Sequence, residues 1–85
     1  MSKERNVEMR GYFFRVAPER SQEIKQVIGD MSAPGKVQLC GMVKRPEHTD
    51  IFFDASSGGV DKVEKKTGLP ASPDPSAHAY SVTLG

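Results

Sequence analysis

The chain has 85 residues, 36% hydrophobic and 27% charged, with 12 Lys+Arg against 11 Asp+Glu and a formal net charge of +1. That length suits one domain and not two, and the composition is that of a folding chain, not a disordered one. The balanced charge lacks both the basic excess of a non-specific nucleic-acid binder and the acidic excess of a DNA mimic; the single cysteine, Cys40, rules out an internal disulfide and a cysteine-built zinc site.

Residues 1–5 are polar and are expected to be a flexible N-terminus, leaving 6–85 as the domain. Asn6 to Val16 is rich in Val, Tyr and Phe and lacks Pro, which predicts a strand. Pro18 suits a first helical position. Ile24, Val27, Ile28 and Met31 then recur at helical spacing, which predicts an amphipathic helix from Pro18 to Met31. Ser32 to Gly35 is a breaker cluster. From Lys36 to Lys44 the pattern alternates: Val37, Leu39 and Val43 share one face, and Lys36, Gln38, Cys40, Met42 and Lys44 the other. A turn holding Pro46 separates this strand from a second, Asp50 to Ala55, and the pair reads as a hairpin. Ser56 to Gly59 leads into a short second helix in which Val60, Val63 and Thr67 share a face and Gly68 is the stop. Residues 69–77, with three prolines, read as a stiff loop, and His78 to Gly85 as a last strand.

The order strand, helix, strand, strand, helix, strand predicts an α+β domain with the ferredoxin-like βαββαβ arrangement. In it an antiparallel four-stranded sheet carries both helices on one face, with the first and third strands central. The other sheet face is then open. If Val7, Met9, Phe13, Ile51 and Phe53 face the helices, Tyr12, Phe14 and Phe52 are left on the open face. Arg10 and Met42 lie beside them, with Lys36 and Lys44 as a fringe. An exposed aromatic cluster marks a contact surface. These residues are the expected partner-binding site.

The segment RGYFFRV, Arg10 to Val16, resembles the RNP1 pattern of RNA recognition motif domains through Arg10, Gly11, Tyr12 and Phe14. The resemblance implies single-stranded RNA or DNA stacked on those rings. Phe13 departs from the family at a small-residue position and Arg15 at an apolar one, and here the segment lies on the first strand instead of the third. The stretch FFR before a helix also resembles the phosphate-loop region of acylphosphatases, with Arg15 as the phosphate-gripping Arg. The glycine-rich loop and a suitably placed Asn are missing, so that activity is not expected.

Other motifs are weaker. Ser56 to Gly59 before a helix is read as a capped turn in preference to an anion nest. His48, in a predicted turn, Asp50, at a strand start, and Asp54, pointing away from the core, are weighed as metal ligands, but no second His is near in sequence and His48 is read as a surface turn histidine. Cys40 has no local base and is read as a small half-buried residue. The expectation is a non-enzymatic adaptor or inhibitor that docks on a protein partner, or on itself as a dimer, through the aromatic face. The alternative is a nucleic-acid-binding module using the same rings. No cofactor, metal, membrane or small-molecule substrate is expected, and the lack of a signal segment and of disulfides favours the cytoplasm.

Overall fold

The computed structural model describes residues 5–84. Most of the expected flexible N-terminus therefore lies outside the described residues, but Arg5 already belongs to a strand. The elements are β1 (Arg5–Val16), a 3-10 turn (Pro18–Arg20), α1 (Ser21–Asp30), β2 (Val37–Lys44), β3 (Thr49–Ala55), α2 (Ser57–Thr67), β4 (Ser72–Pro73) and β5 (Tyr80–Leu84). The domain is α+β, with two helices and a five-stranded antiparallel sheet. The strand order is β2-β3-β1-β4, and β5 pairs with β1 away from that path.

Both helices pack on one sheet face. Ile24 and Ile28 of α1 and Val60 and Val63 of α2 join Phe14, Val16, Val37, Ile51, Phe53 and Ala55 in one buried cluster. Helical spacing puts each helix pair on one side, so the cluster closes without a second layer. Ser56 caps α2 by accepting the Gly59 N–H at 3.1 Å, and Gly68 ends it at φ 72°. The helix starts at Ser57, so the SSGG stretch supplies its cap and first turn. Gly59 is needed there, since a Cβ would run into the Lys36 carbonyl.

The last strand differs from expectation. The place beside β1 in the body is taken by Ser72 and Pro73, opposite Phe13 and Tyr12. Proline is tolerated there because an edge position leaves its missing N–H unneeded. The 80–84 strand instead pairs with the N-terminal half of β1, with Arg5 opposite Leu84 and Met9 opposite Tyr80. Between the two, residues 74–79 form a strap that crosses β1 at Gly11. The Asp74 N–H donates to the Gly11 carbonyl at 2.9 Å, and a Cβ on Gly11 would collide with Ala77. Tyr80 then reaches Asp54 and Leu84 meets Gly35, so β5 runs on past the end of β3. Arg5–Met9 and Tyr80–Leu84 together form an arm, and the molecule measures 51 × 24 × 17 Å.

Candidate functional site

Register fixes which side chains reach the face opposite the helices. Phe13 stands opposite Phe52, Gly11 opposite Asp54 and Arg15 opposite Asp50. Tyr12 stands opposite Phe53 and Phe14 opposite Ile51, both deep in the helix-side cluster. The expected assignment of β1 is therefore reversed: Phe14 is 1% exposed in the core, Tyr12 packs against it, and Phe13 takes their place outside. The reason is that apolar residues occupy both parities of β1, while the uninterrupted apolar run at 12, 14 and 16 is the one the helices cover.

β2 is corrected by a bulge. Register shifts between Leu39 and Gly41, leaving Cys40 as the extra residue. Beyond it the faces exchange, so Met42 pairs with Ile51 and packs on the core, while Val43 pairs with Asp50 on the open side and is 39% exposed. Cys40 itself is exposed, where the sequence suggested half-burial. Lys44 pairs with Thr49 and so lies on the helix side. Lys36 is in the turn before β2, and Arg10 shares the helix-side face of β1. Arg10 lines a cavity of about 620 Å³ together with Arg5 and Ser57, and its guanidinium is held by Glu8 at 2.7 Å. Of the expected interface, Phe52 alone lies on the open face.

That face has three rows. The middle one is Gly41, Phe52, Phe13 and Ser72, with the two rings 5.7 Å apart. Both rings are half-buried. Gly41 beside Phe52 adds no side chain, which leaves one flank of that ring uncovered.

The second row is Val43, Asp50 and Arg15. The Arg15 guanidinium lies 5.8 Å from the centre of the Phe13 ring and donates to Asp50 through Nε at 3.0 Å and Nη2 at 3.3 Å. This two-pronged bond holds the Asp50 carboxyl below the usual carboxylate range. Its stabilisation is present above the unfolded carboxylate range and fades as acid titrates Asp50. His48 Nε2 is buried without a hydrogen-bond partner, 3.7 Å from the same carboxylate.

The third row is Gln38, Asp54 and Gly11, and here the strap arrives. The Tyr80 hydroxyl donates to Asp54 Oδ2 at 2.6 Å. That bond, with burial second, pushes the Tyr80 hydroxyl up to about 12. Although Cys40 as a residue is exposed, partial desolvation of its sulfur first, and then the charge of Asp54, push the thiol up as well, which favours the thiol over the nucleophilic thiolate. Met9, two residues before Gly11 on the same side, is 1% exposed outside the helix-side cluster.

Comparison with protein-family models, with curated proteins and with solved structures gave no match. Among the described residues no three His, Cys, Asp or Glu side chains are grouped to hold a metal ion, and no helix is long and apolar enough to cross a membrane. The arrangement offers an apolar platform bordered by carboxylates. Sequence reasoning left Phe13, Arg15, Val43, Asp54 and Tyr80 out of the interface, weighing Arg15 only as a phosphate-gripping residue and Asp54 only as a metal ligand. The signal for the first two was the alternation Gly11, Phe13, Arg15 against the unbroken Tyr12, Phe14, Val16.

Proposed function

We propose that this is a non-enzymatic binding protein, an adaptor or inhibitor that docks on a protein partner through the open face around Phe13 and Phe52. The observation that carries the reading is the Phe13–Phe52 ring pair, half-buried at the middle of a sheet face opposite both helices. Paired aromatics at the centre of a surface patch, with polar groups around them, are the usual anchors of protein interfaces. The body, with β1 and β3 central, is read as a ferredoxin-like sheet to which β5 adds an arm.

The same two rings suit a base-stacking platform, which keeps single-stranded RNA as the second reading. Charge weighs against it. The open face carries Asp50, Asp54 and Asp74 against one arginine, and that arginine is bonded to Asp50. A phosphate chain laid on those carboxylates meets like charge.

The test is capture from an extract of the source cell, comparing wild type with a Phe13→Ser/Phe52→Ser double variant, with and without RNase. Proteins retained by the wild type, lost by the variant and indifferent to RNase are expected. Retention unchanged by the double variant rules out this face; retention abolished by RNase moves the assignment to RNA.

A further inference from the structure

We infer that His48 makes the charge of the docking face depend on pH: when its imidazole takes a proton, it donates to Asp50 Oδ1, displaces the Arg15 Nε from that oxygen and leaves a positive edge beside Phe13. This rests on the docking role proposed above and gives that site a regulator.

The hairpin fixes the position of His48. Its carbonyl accepts the Arg45 N–H at 2.9 Å across the β2–β3 turn. It lies two residues before Asp50, so the two side chains turn to the same side. Nε2 is buried and has no hydrogen-bond partner. It stands 3.7 Å from Asp50 Oδ1, beyond the reach of a hydrogen bond. A neutral imidazole carries one N–H. With that proton on Nδ1, the Nε2 lone pair faces the carboxylate; with it on Nε2, the donor stops short. Neither neutral form satisfies the atom, which is unfavourable for a buried polar group. The doubly protonated ring has a donor at Nε2 and a charge that Asp50 attracts, so it is the form that closes the gap.

Closing that gap touches Arg15. Oδ1 is the atom that accepts Arg15 Nε at 3.0 Å, while Oδ2 takes Nη2 at 3.3 Å. Asp50 is buried and Arg15 exposed, so the arginine is the partner free to move. Its guanidinium lies over the Phe13 ring, and a change in its hold on Asp50 is felt at the platform. Arg15 and Asp50 cancel in charge while His48 is neutral; protonated His48 leaves the trio with a net positive charge. No neighbouring group answers it. Arg45, across the turn, is itself a cation; Lys44 lies on the helix side; Glu47, within the turn, makes no ion pair among the described residues. Histidine is the side chain whose ordinary range falls between about pH 5 and 8. Asp50 stays ionised throughout that window, because Arg15 holds it below the usual carboxylate range.

The experiment is carbon-detected NMR of the isotope-labelled full chain between about pH 8 and 5. It follows the His48 ring, the Asp50 Cγ and the Arg15 Nε–Cζ pair. No partner is present, so the regulator is tested apart from the docking role, which the capture comparison decides. The Arg15 and Asp50 signals are expected to move together, with the same midpoint as the His48 ring. In His48→Gln, which cannot take the proton, both are expected to stay fixed over the same range. In Asp50→Asn the Arg15 signal is expected to stop following the ring. Tm at the upper pH checks that each variant is folded, and His48→Gln alone decides if Asp50→Asn is not. Arg15 signals that stay fixed in the wild type, or that still move in His48→Gln, overturn the inference and leave the docking face standing.

Discussion

At the scale of the residue, the face of β1 is decided by a single step in parity. Phe13 and Phe14 are neighbours with opposite fates, one beside Phe52 in the open and one 1% exposed against Ile51 and Phe53. Phe14→Ala leaves a ring-sized cavity and is expected to cost about 3–5 kcal/mol, a large share of the stability of so small a domain. Phe13→Ala removes one half-buried ring and its pairing with Phe52, and is expected to cost about 1–2 kcal/mol. Urea unfolding of the two variants measures the difference; equal losses mean the parity is wrong. The sequence leaves this open because Val7, Met9 and Phe13 make as plausible an inward set as Tyr12, Phe14 and Val16. In the structure Met9 is buried as well, but on the side of Gly11 and Phe13, away from the helix-side cluster.

At the scale of the element, α1, the β2–β3 hairpin and α2 follow from periodicity and capping, and their positions are readable in the chain. The bulge at Cys40 is not, because one unpaired residue leaves no trace in an alternating pattern until the partner strand is known. β4 is hidden in the same way: two residues in a proline-rich stretch carry too little pattern to announce a strand. The strap between β4 and β5 depends on contacts far apart in sequence: the Asp74–Gly11 backbone bond, Ala77 against Gly11 and, where the strap enters β5, the Tyr80–Asp54 bond. Because the Tyr80 hydroxyl is raised to about 12 from the ordinary 10, its neutral form is favoured in the folded chain. The stabilisation is complete below pH 10 and is lost as pH rises from there to about 12. Tyr80→Phe is expected to lower stability by about 1 kcal/mol or less at neutral pH, the side chain being 40% exposed. It is also expected to abolish the late phase of the phenolate absorbance titration. A late phase that survives the substitution overturns the assignment to Tyr80.

At the scale of the whole molecule, the body and the arm differ in backing. The body has helices on the sheet and a buried cluster; the arm is a two-stranded ribbon of Arg5–Met9 and Tyr80–Leu84. Two strands alone are marginal in water, and Val7 and Val82, opposite each other in the ribbon, are only half-buried. Native-state hydrogen exchange is expected to show arm amides opening at about 1–3 kcal/mol while body strands open only near the global value of roughly 5 kcal/mol or more. Uniform protection along β1 means that the contacts of Tyr80 with Asp54 and of Leu84 with Gly35 hold the arm as firmly as the sheet holds the body.

The sequence separation between β1 and the strand it pairs with in the body has a consequence during synthesis. Its first partner in the body, β3, begins at Thr49, which pairs with Val16. At roughly 5–20 residues per second, the chain between them takes about 2–7 s to make. Throughout that interval Tyr12, Phe13 and Phe14 have no strand to pair with, and the arm half of β1 waits longer still, for Tyr80 to Leu84. The nascent chain thus carries three adjacent aromatics with unpaired backbone, and the length of that exposure is set by the arrival of β3.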